Sequence, residues 1–136
     1  DTNFFLVKIN LLNKYNFKNI NLFKFYDSQK NIDENLNFFE KKLKIMDIIF
    51  LSYGKDGHVA SLFPNLKTMI SKKNVCFVYN KNNKFKFRIS ITEDFINKSK
   101  NKFLFFLGEE KKKIFLREKK KIFTNKLFKN FKIVLS

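Results

Sequence analysis

One short segment of the chain gathers the residue types that acid–base chemistry needs. The only histidine, His58, follows two glycines, Gly54 and Gly57, which bracket Lys55 and Asp56. A neutral imidazole can take a proton from water, and a nearby carboxylate can orient the ring or the water. Aspartate is also a common turn residue, and Asp56 fits that ordinary role equally well. The spacing therefore indicates a candidate general base at His58, with Asp56 as its candidate partner.

The strand before this segment places it where α/β proteins bind ligands. Met46 to Leu51 is a continuous apolar run, which predicts a strand buried on both faces. The loop Ser52 to Gly57 follows, and ligands of open α/β sheets bind beyond the carboxyl ends of strands. Two of the three glycines of the chain fall here, where the backbone must turn sharply or approach a ligand.

Two basic residues stand out further along the chain. Apolar and polar residues alternate from Phe85 to Thr92, which predicts a strand with Arg88 on its polar face. Arg88 and Arg117 are the only arginines among 29 basic residues, and a guanidinium can bind phosphate bidentately. Lys111 lies in the first turn of a predicted helix, Glu109 to Lys121, where free N–H groups favour an anion. In a chain so rich in lysine, Lys111 alone would be interpreted as a surface residue.

The remaining patterns predict helices and strands in alternation. They are a first helix capped by Asp1-Thr2, a strand from Ile20 to Tyr26, a helix from Asn31 to Lys44, a strand from Val75 to Tyr79, a helix from Glu93 to Lys100, and strands from Lys102 to Leu107 and from Phe131 to Leu135. This order implies an α/β domain with a mainly parallel sheet flanked by helices. We predict a single domain over residues 1–136.

The strong positive charge does not by itself define a partner. The formal net charge is +17, which would suit nucleic acid, yet lysine supplies nearly all of it and arginine is the residue favoured for phosphate and base contacts. Lys, Asn, Ile and Phe share A/T-rich codons, so genome composition explains the bias, and we predict no nucleic-acid partner. No apolar run approaches membrane-spanning length. Cys76 is the only cysteine, which fits a reducing compartment such as the cytoplasm.

Three segments of the chain resemble one enzyme family. Residues 54–64, GKDGHVASLFP, look like the signature of 6-phosphogluconolactonases. Residues 88–92, RISIT, are similar to the family's Arg-Ile-Thr-Leu-Thr segment, and residues 107–111, LGEEK, to its Thr-Gly-Glu-Glu-Lys turn. The start of the chain resembles the family's Ser-Asn segment and following helix. The resemblance covers Asp1 to Ile114.

The resemblance implies a function and roles for individual residues. The family hydrolyses 6-phosphoglucono-δ-lactone to 6-phosphogluconate in the oxidative pentose phosphate pathway, without metal or organic cofactor. His58 would be the general base, and Arg88 and Lys111 would hold the substrate phosphate. We expect a helix to start at His58, where its dipole keeps the ring neutral. We further infer that amides between Gly54 and Gly57 contact the substrate by stabilising an oxyanion.

Departures from the family pattern leave alternatives open. Ser52 stands where the family usually has Gly, and Val59 where it has Thr. An earlier phosphate-binding loop and an Asp-Glu-Arg segment have no counterpart, so we expect an incomplete doubly wound domain. The chain could be a non-catalytic remnant or an incomplete fragment of such an enzyme. Glucosamine-6-phosphate deaminase is less favoured, because that family places Glu where this chain has Phe63, and a phenyl ring cannot move protons.

Overall fold

Two small sheets and four helices make up the described part of the chain. The structure, a computed structural model, describes residues 3–15, 20, 23–24, 26–64, 66–68 and 70–136. The strands are β1 (Ile48–Ser52), β2 (Ile70–Ser71), β3 (Val75–Tyr79), β4 (Phe87–Ile91), β5 (Asn101–Phe106) and β6 (Phe131–Leu135). The helices are α1 (Asn3–Val7), which continues as a π-helical turn over Lys8–Leu12, α2 (Ile32–Lys42), α3 (Glu93–Lys98) and α4 (Glu109–Thr124), followed by a 3-10 turn over Lys126–Phe128.

The parallel sheet confirms the predicted α/β class. Its order is β1-β5-β6, with both neighbouring pairs parallel. Helix α3 follows β4 and leads into β5, and α4 connects β5 to β6, as a parallel crossover requires. The other three strands form an antiparallel sheet in the order β2-β3-β4, because short turns rather than helices join them. The fold is therefore α/β with an antiparallel sheet inserted between β1 and β5.

Two apolar clusters hold these layers together. The larger lies between the parallel sheet, α4 and the 3-10 turn, and includes Leu104, Phe106, Ile114, Ile122 and Phe128. The smaller joins α2 to the antiparallel sheet, and its members are Leu36, Phe39, Val75 and Phe77 with Ile32 and Leu43 packed against them. The predicted helical stripe of α2 is therefore its buried face. An Asn31–Glu34 capping box begins this helix.

Most predicted elements are confirmed within a few residues. The predicted strand from Ile20 to Tyr26 is not, since Ile20, Phe23, Lys24 and Tyr26 are outside any strand and its other residues lie outside the described ones. The predicted cap at Asp1-Thr2 lies outside the described residues. The helix after it begins at Asn3. Helix α4 continues three residues past its predicted end at Lys121.

Burial of β1 differs from the prediction. Ile49 is buried and faces the core, but Ile48 and Phe50 are 50% and 64% exposed. Phe50 instead lies against Phe103 and Phe105 of β5, with ring centroids 5.3 and 5.6 Å apart. The expectation of a strand buried on both faces is therefore wrong for the described residues, because the layer they supply covers only one face of the parallel sheet.

Candidate active site

The loop after β1 folds back on itself at the carboxyl end of the parallel sheet. The Gly54 amide donates to the His58 carbonyl at 2.8 Å, and the Gly57 amide donates to the Gly54 carbonyl at 3.0 Å. Gly57 has a φ of 84°, in the left-handed region that favours glycine. Val59 then pairs with Tyr53 in an isolated bridge. These bonds place His58 just beyond the end of β1, as predicted.

Both glycine amides are already engaged inside this turn. An oxyanion would therefore compete with the Gly54 and Gly57 hydrogen bonds for the same N–H groups. A substrate-binding role for these two residues stays a prediction.

A missing side chain at Gly54 makes room for the imidazole. A Cβ at this position would overlap Nδ1 and Cε1 of His58 and come within 2.8 Å of Oδ1 of Asp56. Any larger residue at Gly54 must displace the histidine ring. The glycine is therefore required by the close approach of His58.

Asp56 orients the His58 ring. Its Oδ1 lies 2.5 Å from Nδ1 of His58 and also accepts the backbone N–H of His58 at 3.4 Å. Burial raises the pKa of Asp56, but the hydrogen bond and charge of His58 outweigh burial and hold it below its ordinary value. An ionised carboxylate only accepts, so in the neutral form of the ring this contact favours the proton on Nδ1 and leaves Nε2 with its lone pair. The same oxygen thus contacts both the backbone of the turn and the ring, and an orienting role for Asp56 in catalysis stays a prediction.

His58 does not begin a helix. Residues 58–62 form a turn in which the amides of Val59 and Leu62 each donate to the other's carbonyl, at 3.1 and 2.9 Å. Ala60 has a φ of 54°, which right-handed helical backbone excludes. The expectation that a helix dipole keeps the ring neutral is therefore wrong.

Phe63 brings Arg88 close to the histidine. The His58 ring lies on Phe63 with centroids 4.9 Å apart, and the Arg88 guanidinium carbon is 5.8 Å from the centre of the same phenyl ring. The guanidinium also donates to the Asn83 side chain at 2.8 Å and to the Phe85 carbonyl at 3.2 Å. Arg88 thus stands beside the histidine loop with its head group held in place.

A buried hydroxyl couples this loop to β4. The Ser61 amide donates to Oγ of Ser90 at 3.0 Å, and that hydroxyl donates to the Ile91 carbonyl at 3.1 Å. Ser90 is only 4% exposed. The alternation from Phe85 to Thr92 predicts Ser90 on the same polar face as Arg88 and assigns it no role. No sequence pattern marks the contact, because it joins residues far apart in the chain.

Lys111 lies in the first turn of α4 and contacts the end of β1. Its ammonium donates to Oγ of Ser52, the last residue of β1, at 2.6 Å. One residue earlier, Glu110 pairs with Lys55 at 2.6 Å. The Ser52 hydroxyl thus gives Lys111 a partner that a glycine at this position could not supply.

Most predicted site residues meet at one loop. Those within it are Gly54, Asp56, Gly57 and His58. Arg88 contacts the loop through Phe63, and Lys111 binds the residue just before it. A single cleft that takes the head groups of both basic residues together with the imidazole stays a prediction.

The described part of the chain offers no cluster of three or more His, Cys, Asp and Glu side chains that could hold a metal ion. In the same residues, no helix combines the length and the hydropathy that a membrane span requires.

Fold and loop together define an α/β protein whose candidate active site lies at the carboxyl end of a parallel sheet. The family model described as glucosamine-6-phosphate isomerases/6-phosphogluconolactonase matches residues 1–124. The chain belongs to this family.

Relatives and solved structures agree with this membership. The chain is 38% identical over 81 residues to a 6-phosphogluconolactonase of Borreliella burgdorferi, which covers 59% of this chain and 34% of that protein. It is 35% identical over 78 residues to a Dictyostelium discoideum protein named Probable 6-phosphogluconolactonase, covering 55% and 33% of the two chains. The alignments thus span about a third of the length of each relative.

Structural similarity extends over more of the chain. A provisionally named 6-phosphogluconolactonase of Neisseria gonorrhoeae superimposes with a TM-score of 0.62 at 25% identity, over 76% of this chain and 50% of that structure. The 6-phosphogluconolactonase of Plasmodium vivax shares the fold with a TM-score of 0.57 at 21% identity, over 80% and 54%.

Proposed function

We propose that this chain carries the catalytic loop of a 6-phosphogluconolactonase, which hydrolyses 6-phosphoglucono-δ-lactone to 6-phosphogluconate. The observation that carries the proposal is the Asp56–His58 pair, in which the carboxylate fixes the proton on Nδ1 and leaves Nε2 free. The side chain of His58 is 27% exposed, so water and substrate can reach it. The names of the relatives supply the substrate.

Lactone hydrolysis needs a base at this position. Nε2 of His58 takes a proton from water as the oxygen attacks the lactone carbonyl, and Asp56 stabilises the imidazolium that forms. The tetrahedral intermediate then collapses and the ring C–O bond breaks. The imidazolium returns its proton to the departing ring oxygen, which becomes a hydroxyl of 6-phosphogluconate. This sequence uses no cofactor.

The substrate phosphate would bind to Arg88 and Lys111. Arg88 lies next to the histidine loop across Phe63, and its guanidinium can turn from the Asn83 side chain to a phosphate. Lys111 sits in the first turn of α4, where backbone N–H groups also favour an anion. Both contacts are remote from the reacting carbonyl and therefore mainly hold the substrate.

Phe63 separates this proposal from the deaminase branch of the family. Its ring packs on the imidazole at 4.9 Å, where a phenyl group cannot relay protons.

We further propose that residues 1–136 are a single domain that works in the cytoplasm on a small sugar-phosphate lactone. The buried free thiol of Cys76 supports a reducing compartment.

A second candidate is a non-catalytic fragment of such an enzyme. The observation that favours it is the length of the alignments, about a third of each relative. The exposed face of β1 fits the same candidate, because parallel sheets are ordinarily covered on both faces.

One assay separates the two candidates. The purified chain is mixed with freshly prepared lactone, proton release is followed, and spontaneous hydrolysis is subtracted. We expect the rate above background to fall by about a hundredfold to ten-thousandfold in His58→Ala, the usual loss on removing a general base. The matched control is Lys100→Ala, a change of one exposed lysine.

A chain with no rate above background, or one whose rate survives His58→Ala, would contradict catalysis by His58. The first result favours the fragment, and the second requires another base.

A further inference from the structure

Tyr53 lies between the end of β1 and the histidine loop, and the proposed mechanism leaves it unused. Its side chain is buried, with 2% exposed, and its ring stacks on Phe106 with centroids 5.0 Å apart. The Tyr53 amide donates to the Phe105 carbonyl at 3.2 Å, which continues the β1–β5 pairing. The ring is therefore fixed to the parallel sheet.

The phenol end of Tyr53 faces the turn that carries Asp56. A Cβ built on Gly57 would lie 3.2 Å from the Tyr53 oxygen and 3.2 Å from Cγ of Pro64. The phenol and the proline that ends the loop therefore both lie beside Gly57, on the side where a side chain would project. Gly57 follows Asp56 and precedes His58, so the phenol lies next to the segment that joins these two residues.

Glu118 holds the phenol in position. The Tyr53 hydroxyl donates to Oε2 of Glu118 at 2.9 Å. The Glu118 carboxylate also accepts from Arg117 at 3.0 Å. This bond keeps the pKa of Glu118 below its ordinary value, so the acceptor stays ionised. Burial, followed by the bond to Glu118, raises the pKa of Tyr53 to about 12, so the hydroxyl keeps its proton.

Helix geometry links this bond to the phosphate side of the site. Glu118 follows Lys111 by seven residues in α4, and because a helix has about 3.6 residues per turn, the two side chains leave nearly the same side. Lys111 contacts Ser52, and Glu118 contacts the next residue, Tyr53. One face of α4 therefore contacts both Ser52, the last residue of β1, and Tyr53, the residue that precedes the histidine loop.

We propose that Tyr53 is a positioning residue, whose hydrogen bond to Glu118 fixes the Gly54–Gly57 turn and so aligns Asp56 with His58. The proposal deepens the function proposed above and rests on His58 as its base. The bond sets the distance between the carboxylate of Asp56 and the imidazole through the backbone of Gly57. It also fixes the loop relative to α4, which carries Lys111.

The single histidine makes the alignment directly measurable. Nitrogen NMR of the imidazole in the intact chain, in mildly alkaline buffer, reports which ring nitrogen carries the proton, without any need for turnover. In the wild type the Asp56 contact should make the Nδ1–H form dominant. In Tyr53→Phe, which keeps the ring and removes the hydroxyl, the ratio of the Nδ1–H to the Nε2–H form should fall several-fold.

Two changes at Glu118 test the same bond from its other side. Glu118→Leu removes the acceptor and should lower the ratio as Tyr53→Phe does. Glu118→Gln keeps an oxygen that accepts the hydroxyl and should restore most of the wild-type ratio. Tyr79→Phe is the matched control, because it removes a hydroxyl from β3 and should leave the ratio unchanged. If Tyr53→Phe does not fold, the tautomer ratio of Glu118→Leu tests the proposal instead.

If Tyr53 only stabilises the fold, Tyr53→Phe and Glu118→Leu should lower the thermal unfolding midpoint. The tautomer ratio of the folded variants should then equal that of the wild type. That result would overturn the positioning role while leaving the base assignment of His58 intact. A wild type without an Nδ1–H preference would instead contradict the Asp56–His58 alignment on which both proposals rest.

Discussion

The two sheets contribute to the candidate site in different ways. The parallel sheet supplies a loop beyond its strand end, so the position of His58 depends on backbone turns and on the space left by Gly54. The antiparallel sheet supplies side chains from within β4, where Arg88 and Ser90 keep the positions that pairing with β3 gives them. Geometry at the loop is therefore easily lost, whereas pairing with β3 keeps the backbone of β4 in place when one of its side chains is changed.

The largest effect should come from Gly54→Ala in the loop. The added Cβ meets the imidazole of His58 and the carboxylate of Asp56, so the ring must leave its place. We expect the rate above background to drop by about a hundredfold or more, close to the loss of the base itself. Steady-state hydrolysis of the lactone measures it.

Gly108→Ala is the control for Gly54→Ala. A Cβ there meets nothing within 4 Å, but its φ of 85° strains any other residue. This variant should lose about 1 to 3 kcal/mol of unfolding free energy, because φ 85° with ψ 156° is a region that only glycine adopts readily, and it should keep the wild-type His58 ring spectrum. If Gly54→Ala also kept the wild-type ring spectrum, the space left by the missing Cβ of Gly54 would not determine the position of the imidazole.

A smaller effect is expected from Arg88→Ala in β4. Losing charge-assisted bonds to the phosphate should raise KM by about tenfold to a hundredfold, with kcat reduced less, because these bonds are of order 1.5 to 3 kcal/mol. The Lys86→Ala variant, next to the strand, should leave KM near the wild-type value. A drop in kcat with KM unchanged would place Arg88 at the reacting carbonyl instead.

The hydrogen bond between Ser61 and Ser90 links the histidine loop to the antiparallel sheet and should contribute to the free energy of unfolding. Ser90→Ala leaves the Ser61 amide without its acceptor, which should lower the unfolding free energy by about 1 to 3 kcal/mol in urea titration. Ser99→Ala is the matched change, because Oγ of Ser99 is buried and has no hydrogen-bond partner among the described residues. It should be neutral or slightly stabilising. Equal losses in the two variants would contradict a specific role for the Ser90 hydroxyl.

The smallest effect concerns α2, which packs on the antiparallel sheet. The hydrogen bond from Lys72 at 2.7 Å holds the pKa of Asp33 below its ordinary value of 3.8. A depressed pKa adds stability that is present above 3.8 and is lost as the pH falls through the lower folded-state value. Because the Asp33 side chain is exposed to solvent, the change in the acid unfolding midpoint should be small. Asp33→Asn and Lys72→Gln should each remove it, and a pH dependence that survives Lys72→Gln would contradict the pairing.

The sequence predicts elements better than it predicts contacts between them. The amphipathic stripe of α2 and the apolar run of β1 are local patterns, and both elements form nearly where expected. The exposure of Phe50 was not predictable, because an apolar run does not show how many layers cover a sheet. The bond between Ser61 and Ser90 was not predictable either, since nothing in either segment indicates the other.

The candidate site divides in the same way. Glycine spacing predicted a loop with His58 beyond β1, and the loop is there. The turn at Ala60 that replaces the expected helix depends on the pairing of Val59 with Tyr53 and Leu62, which the sequence does not reveal.

The space left by the missing side chain at Gly54 also affects the conformational entropy of the His58 side chain. A partly exposed histidine ordinarily samples several rotamers, and holding it in one of them costs free energy. Here the imidazole occupies the volume of the missing Cβ and is bound to Asp56, so this freedom is lost when the chain folds. Substrate binding then meets a ring that is already ordered, and none of the affinity for the ligand is spent on immobilising it.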